Sequence, residues 1–266
     1  MSHTAPALSL NLTAGYPGKG EVLRHVQLQI GAGEILGLVG ESGSGKSTLT
    51  LAVLRLLFLK NGSASGSILL KGRELMGLSE SEMRAVRGRD IGLVLQSPAS
   101  SLNPALKIGT QLYEAWRAHR PGSRKSCLPA FLELLRSLNL DADEKFLQRK
   151  PSQISLGQAQ RVLIAMAVLH HPSVLIADEP TSALDMITQK EVLGIFRRLA
   201  RERQIAILFV SHDLLAVASL CDRIAILRHG EIVESGATME VLSAPQHPYT
   251  RQLVGALPNI EFASQD

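Results

Sequence analysis

The chain has 266 residues, 45% of them hydrophobic, and a formal net charge of +4. This length and hydrophobic fraction suffice for a large α/β domain with a smaller subdomain, so they exclude a disordered chain. Its two cysteines, Cys127 and Cys221, form no CxxC pair and its basic residues are scattered, which excludes a zinc or disulfide framework and argues against a nucleic-acid-binding patch.

No segment predicts targeting or a membrane span. Residues 1–12 lack the basic start and apolar run of a secretory signal. The most span-like stretch, 162–177, is interrupted by His170, His171 and Pro172 and is shorter than the about 20 apolar residues that cross a bilayer. We therefore expect the protein to stay inside the cell and to reach a membrane only through a partner.

The first elements are strands predicted at 8–12 and 22–30, and a third follows at 66–70. Together with a run at 224–227, these segments are short or alternate between apolar and polar residues. This pattern favours an antiparallel sheet beside the main sheet.

A phosphate-binding loop lies between the second and third of these strands. An apolar strand, Ile35–Val39, leads into GESGSGKS, which fits the pattern GxxxxGK[ST], and a helix is predicted at 48–59. Small residues let backbone N–H groups surround a polyphosphate, and the helix aims its positive end at the same anion. The alternative is a glycine-rich turn. The predicted nucleotide-binding residues are Gly40, Glu41, Ser42, Gly43, Ser44, Gly45, Lys46, Ser47 and Thr48. Lys46 is expected at the β/γ-phosphates and Ser47 in a Mg²⁺ shell.

Three further apolar runs, 91–95, 174–177 and 205–210, resemble the strand before this loop. They predict a parallel sheet that is buried on both faces, with ligands at the carboxyl ends of its strands. Gln96, Asp178 and His212 follow these runs, so we expect them to converge on the phosphate loop. Asp178 can hold the magnesium shell while the adjacent Glu179 polarises a water, although the pair also fits a solvated acidic turn.

The remaining segments are mostly helical. Crossover helices are predicted at 189–203 and 214–220, and a helical insertion runs from Ser97 to about His170, with helices at 108–120 and 129–138 and an exposed loop at 121–126. Ser155 has the character of a helix N-cap, with a helix predicted at 158–169.

The chain resembles the ATPase subunits of ABC transporters over nearly its entire length. The resemblance rests on the order and approximate spacing of the phosphate loop, Gln96, the ISLGQ run ending at Gln158, the Asp178–Glu179 pair, the SALD run ending at Asp185, and His212. It implies a P-loop NTPase (RecA-like) core with a mainly parallel sheet, an antiparallel β subdomain and a helical signature subdomain. The implied division is one domain over 1–266: a core at 1–96 and 171–240, a helical part at 97–170 and a tail at 241–266.

The resemblance also implies roles for single residues. Gln96 joins the magnesium shell and relays nucleotide state, His212 contacts the γ-phosphate, and Glu179 is the base for water. Asp185 ends a loop that crosses to a second ATPase subunit, and Tyr16 either stacks on adenine or packs on the surface.

The signature run implies a half-site for the partner's nucleotide. Ser155, Gly157 and Gln158 would bind the γ-phosphate of ATP held by the opposite subunit. The usual pattern has two glycines after the serine, and here the first is Leu156. A side chain there is expected to hinder close approach to the anion.

Finer similarities point to one subfamily. QSP at 96–98, SLNP at 101–104, IAMA at 164–167 and HPYT at 247–250 resemble the ATPases of oligopeptide, dipeptide and nickel importers. Many of those continue into a cysteine-containing extension. This chain has none before Asp266, so no iron–sulfur site is expected.

We therefore expect an importer ATPase for peptides, nickel or a metal chelate that uses ATP and Mg²⁺. Its expected partners are a second and different ATPase subunit, two transmembrane permeases and, indirectly, an external binding protein, at the cytoplasmic face of the inner membrane. Alternatives are an accessory ATPase such as that of a carbon–phosphorus lyase, or a DNA-repair or ribosome-acting ATPase. The last has little support, because only about sixty residues separate Gln96 from Ser155, too few for a long coiled coil.

Overall fold

Two β-sheets organise the protein, which the computed structural model describes over residues 5–257. The smaller sheet consists of β1 (Leu8–Tyr16), β2 (Gly20–Ile30), β4 (Ser63–Leu70) and β5 (Arg73–Glu74). The larger sheet consists of β3 (Ile35–Val39), β6 (Ile91–Val94), β7 (Val174–Asp178), β8 (Ala206–Ser211), β9 (Arg223–Arg228) and β10 (Glu231–Ala237).

The larger sheet has the order β10-β9-β3-β8-β7-β6. All its neighbouring strands are parallel except β9 and β10. The four strands predicted for it lie side by side within a residue of their expected bounds, and β3 and β8 are buried along their whole length. Such burial follows from the covering of both faces of a parallel sheet.

The smaller sheet has the order β2-β1-β4-β5 and is antiparallel. In β1 the side chains of Leu8, Leu10 and Leu12 are buried at every second position. This period is typical of a strand with one face against a core.

Along the chain, most helices lie in the connections between strands of the larger sheet. The helices are α1 (Lys46–Val53), α2 (Glu80–Val86), α3 (Pro98–Ser101), α4 (Ile108–Arg117), α5 (Arg124–Ser137), α6 (Glu144–Gln148), α7 (Leu156–Val168), α8 (Met186–Arg203), α9 (Leu214–Leu220), α10 (Thr238–Ser243) and α11 (Pro248–Gly255). Between β6 and β7 the chain forms α3 to α7, as expected for the helical insertion.

Each face of the larger sheet has its own hydrophobic core. Ile207 and Phe209 of β8 pack with α4, α5 and α7 to α9, whereas Leu208 and Val210 pack with α1 and the smaller sheet. Both cysteines belong to the first core and are free thiols. This arrangement confirms the mixed α/β fold class expected from the sequence.

The prediction that the run at 224–227 belongs to the smaller, antiparallel sheet is wrong. It lies in β9, parallel to β3 in the larger sheet. Its residues are fully buried, like those of the other central strands, and a short apolar run does not reveal its pairing partner.

Two other predicted boundaries also differ. The helix predicted at 48–59 ends at Val53, because the chain turns at Arg55 with φ of +51° and the Leu54 carbonyl accepts a hydrogen bond from Arg87 Nε. The loop predicted at 121–126 is shorter, because Ser123 accepts a hydrogen bond from the Ser126 N–H and so caps α5. Among the described residues, no helix is long and apolar enough to span a bilayer.

Candidate nucleotide site

A pocket of about 670 Å³ opens at the carboxyl ends of β3, β6, β7 and β8. It is lined by Tyr16, Lys19, Val22, Ser42, Gly43, Gly45, Lys46, Ser47, Thr48, Gln96, Asp178, Glu179 and His212. The polar residues expected after the parallel strands therefore meet at the phosphate loop. Of the loop residues, Gly40, Glu41 and Ser44 lie outside this lining.

Close packing explains Gly40 and Gly45 of the loop, whereas a Cβ on Gly43 would meet no atom within 4 Å and Gly43 is instead favoured by its φ of +84°. A Cβ on Gly40 would lie 2.2 Å from the Leu227 carbonyl oxygen, and one on Gly45 would lie 2.7 Å from Leu23 Cδ2. Gly45 also has φ of +114°, a conformation that strains other residues. Strands β2 and β9 therefore hold the loop from behind while α1 begins at Lys46 with its amide end toward the pocket.

Lys46 is the buried cation of the site. Its Nζ donates hydrogen bonds to the carbonyl oxygens of Gly40 at 2.6 Å and Glu41 at 3.0 Å. Burial lowers the pKa of Lys46, against the opposing effect of the Glu179 and Asp178 carboxylates. The ammonium group of Lys46 is thus influenced by the charges of two carboxylates. It can exchange its hydrogen bonds to the loop carbonyls for a bond to a phosphate.

Asp178 and Glu179 differ in their surroundings. Burial, and next the charge of Glu179, raises the pKa of Asp178, while Lys46 opposes this rise. Glu179 has φ of +51°, and its N–H donates to the Val210 carbonyl at 2.9 Å, which extends the pairing of β7 with β8. The adjacent carboxylates are therefore held in different positions by the end of one strand.

Glu179 is paired with His212. The distance from His212 Nδ1 to Glu179 Oε1 is 2.8 Å. The histidine side chain is 62% exposed, whereas that of Glu179 is 14% exposed. The glutamate is thus the inner member of the pair and the histidine lies toward the opening.

Tyr16 lies at the rim of the pocket with Thr48. Their hydroxyl groups are 3.4 Å apart, and the Tyr16 ring packs so closely on Gly62 that a Cβ there would lie 2.7 Å from ring Cε1. Tyr16 therefore lines the pocket and packs on the surface at once, which leaves both sequence interpretations open.

The signature residues lie outside this pocket. Ser155 caps α7: its Oγ accepts a hydrogen bond from the Gln158 N–H at 3.1 Å, and its own N–H donates to Gln158 Oε1. A Cβ on Gly157 would lie 2.4 Å from Thr188 Cγ2, and the Thr188 hydroxyl donates to Asp185. The starts of α7 and α8 therefore form one continuous surface, with Asp185 as the N-cap of α8.

Leu156 is the first residue of α7 and is 42% exposed. It is absent from the described residues with positive φ, so the backbone at this position does not require glycine. Any hindrance therefore comes from the side chain alone.

Sequence reasoning missed Tyr249. The HPYT run was noted only as a family similarity, yet the Tyr249 hydroxyl accepts a hydrogen bond from the Glu41 N–H at 3.0 Å. No local pattern predicts this contact, because the two residues are separated by 208 positions.

The fold and the site together define a P-loop ATPase of the ATP-binding cassette class. Residues 23–182 match the family described as ABC transporter, and the chain belongs to it. It is therefore a nucleotide-binding subunit with ATPase activity.

Curated relatives are similar over most of the chain. The oligopeptide transport ATP-binding protein OppD of Bacillus subtilis is 39% identical over 94% of this chain and 70% of its own length. A putative peptide import ATP-binding protein of Brucella ovis is 42% identical over 90% of this chain and 73% of its own length. The glutathione import ATP-binding protein GsiA of Salmonella typhimurium is 39% identical over 94% of this chain, which spans 41% of that longer protein.

Solved cassettes have the same fold. The dimeric post-hydrolysis state of the ATP-binding cassette MJ0796, bound to ADP and Pi, has a TM-score of 0.73 and 29% identity, with 87% of this chain and 98% of that chain covered. The cbiO1 protein from Clostridium perfringens, part of the ABC transporter complex cbiONQ, has a TM-score of 0.78 and 25% identity, with 90% and 92% covered.

Proposed function

We propose that this ATPase drives the import of peptides through partner permeases at the membrane. The observation that carries the proposal is the similarity to import ATP-binding proteins over 90% or more of the chain, together with the pocket that gathers the ATPase residues. Peptides are favoured over nickel or a metal chelate because these relatives are an oligopeptide transport protein and a putative peptide import protein.

ATP would bind with its phosphates in the loop. The loop amides and Lys46 contact the β/γ-phosphates, and Tyr16 contacts the base at the rim. As Lys46 turns to a phosphate, it exchanges its bonds to the Gly40 and Glu41 carbonyls for a bond to a charged group.

The oxygen donors in the pocket fit Mg²⁺. Ser47, Gln96 and Asp178 offer a hydroxyl, an amide and a carboxylate, the ligand types that this hard cation prefers. Burial disfavours the ionised form of Asp178, and a divalent cation beside it would offset this cost. When bound, the metal would neutralise charge on the transferring phosphoryl group.

Hydrolysis would depend on Glu179 and His212. The largely buried Glu179 carboxylate accepts a proton from the attacking water, and His212 holds that carboxylate from the open side of the pocket. His212 is also the group that would contact the γ-phosphate.

A second ATPase subunit would complete the site. Ser155, Gly157 and Gln158 present the amide end of α7 to a phosphate bound by the partner, since they lie outside the chain's own pocket. Asp185 is beside them and belongs to the same contact surface. ATP would hold the two subunits together, and hydrolysis would release them.

The permeases would dock on the helical part. A groove of about 480 Å³ is lined by Lys107, Gly109, Thr110, Arg124, Lys125, Leu128, Phe131, Glu144, Leu147 and Gln148, and we call it the α4–α6 groove. It includes Gly109 and Thr110 of α4 and extends to α5 and α6. Its apolar floor and three cationic residues suit an amphipathic segment with acidic groups.

Affinity purification of the full chain from membranes in mild detergent tests the proposal. We expect multi-span permeases to co-purify, and Lys46→Ala to abolish peptide uptake by the complex. Lys60→Ala is the matched control, because Lys60 is exposed and lies outside the pocket lining. Recovery of the chain without any membrane protein, or with carbon–phosphorus lyase components, would contradict import.

A further inference from the structure

The C-terminal helix contacts the phosphate loop. Tyr249, in the first turn of α11, is only 2% exposed. Its hydroxyl accepts the Glu41 N–H, and Glu41 is the second residue of the loop. Because the acceptor is a side-chain oxygen, this bond can be removed without changing the backbone.

The backbone of Glu41 is held by several bonds of different kinds, at its N–H and at its carbonyl oxygen. Its carbonyl oxygen accepts from Lys46 Nζ at 3.0 Å and from the Ser44 N–H at 3.2 Å. Lys46 is the residue that would turn to the phosphates of ATP, so its bond is exchanged on binding. The bond that the Glu41 N–H donates to Tyr249 does not involve Lys46, so it can hold the loop both with and without ATP.

Tyr249 is itself fixed from two sides. The Arg228 guanidinium lies 4.6 Å from the centre of its ring, and the Tyr249 N–H donates to His247 Nδ1 at 3.1 Å. Burial raises the pKa of the Tyr249 phenol, so it remains a neutral hydroxyl at physiological pH.

The turn before α11 is fixed to the larger sheet. The carboxylate of Glu234, in β10, accepts the N–H groups of Gln246 at 2.8 Å and His247 at 3.0 Å. Arg228 also directly follows Leu227 of β9, whose carbonyl oxygen packs closely against Gly40 of the loop. The connection therefore runs from β10 through the HPYT run to the back of the phosphate loop.

We propose that Tyr249 is a positioning residue for ATP, which holds Glu41 so that the phosphate loop is preorganised for the β/γ-phosphates. This gives the HPYT run a role in the ATPase site that its distance along the chain conceals. The inference rests on the ATPase activity and does not depend on the transported substrate.

Tyr249→Phe tests the proposal, because it removes the hydroxyl and keeps the ring under Arg228. Loss of one such hydrogen bond corresponds to about a twofold to tenfold loss of affinity. We expect KM and Kd for Mg-ATP to rise by that factor with kcat changed less than twofold, since the bond serves ground state and transition state alike. We also expect the Glu41 amide to exchange its hydrogen faster by NMR.

Tyr113→Phe is the matched control. The Tyr113 hydroxyl donates to the Gly122 carbonyl at 3.1 Å, outside the pocket lining, so its loss leaves KM for ATP unchanged. A second variant, Arg228→Gln, loosens the Tyr249 ring without touching the loop and is expected to raise KM by a smaller factor.

Two results would overturn the proposal. One is a folded Tyr249→Phe protein with wild-type KM and wild-type exchange at Glu41. The other is a lower melting temperature with unchanged KM, which assigns Tyr249 to structure alone. Normal turnover in Lys46→Ala is a separate failure, because it would refute the ATPase site itself.

Discussion

Glu179 adopts an uncommon backbone conformation at the end of β7. Its φ of +51° is uncommon for a residue with a long side chain, and such conformations cost free energy that the surrounding structure must offset. Here the Glu179 N–H bond to Val210 and the contact with His212 hold the residue. Other non-glycine residues with positive φ, such as Arg55 and Asn61, lie outside the pocket lining, so the proposed catalytic role of Glu179 rests on its place in the pocket and not on φ alone.

We predict that Glu179→Gln binds ATP but hydrolyses it at least about a hundredfold more slowly. The amide keeps the shape of the carboxylate but cannot act as a base. Steady-state turnover and nucleotide titration measure the two effects, and an ATP-stabilised dimer is expected by size-exclusion chromatography. Glu231→Gln is the control, since Glu231 is exposed, lies outside the pocket lining and forms an ion pair with Arg24 at 3.8 Å. Hydrolysis at the wild-type rate would place the base elsewhere.

Leu156 offers a test of asymmetry between two nucleotide sites. Its side chain projects from the first turn of α7 and would crowd the phosphate bound by a partner subunit. Lost transition-state contacts of about 1–3 kcal/mol correspond to about a fivefold to 150-fold lower rate at that site. We predict that Leu156→Gly raises hydrolysis at that site, because it removes the side chain that crowds the phosphate. The helical backbone tolerates the glycine at a cost of about 1 kcal/mol or less.

The measurement replaces the catalytic glutamate separately in each subunit of the assembled pair. Severe loss is expected for Glu179→Gln here and a mild loss for the equivalent change in a different partner. Equal losses, or a fully active pair of two copies of this chain, would contradict the asymmetry.

At the scale of elements, local patterns predicted the central strands and the motifs at their ends. The phosphate loop, Asp178 and His212 follow buried apolar runs, and parallel pairing brings their ends together regardless of sequence distance. The predicted end of α1 was wrong because the hydrogen bond from Arg87 to the Leu54 carbonyl helps to end the helix. The predicted sheet of β9 was wrong because β9 pairs with β3. Both are contacts between distant segments.

The α4–α6 groove gives an element-scale prediction. Cysteine at Leu106, which is 38% exposed and directly precedes Lys107 of the groove, is expected to cross-link to a permease in the assembled complex. Leu102 is unsuitable for this purpose, since it is 2% exposed. Cysteine at Leu59, 67% exposed and outside the groove, is the control. Cross-linking from Leu59 alone would put the permease on another surface.

At the scale of the whole molecule, the pocket depends on segments from Tyr16 to His212. Such a site does not exist in the unfolded chain, so ATP stabilises only the folded protein. At free nucleotide a hundred times its Kd the gain is about 2.7 kcal/mol, or about 5–10 °C in Tm. We predict this shift for Mg-ATP by calorimetry and its loss in Lys46→Ala. An equal shift in that variant would mean that the nucleotide binds elsewhere.

The two buried cysteines allow local unfolding to be detected by thiol alkylation. Cys127 in α5 is fully buried among the helices between β6 and β7, and Cys221 packs against Gly37 of β3. Burial raises the pKa of both thiols, so neither reacts with an alkylating reagent until its surroundings open. We predict faster alkylation of Cys127 than of Cys221 in mild denaturant, followed by mass spectrometry, because α5 can detach while the central strands stay paired. Identical rates would mean that residues 97–170 and the sheet unfold as one cooperative unit.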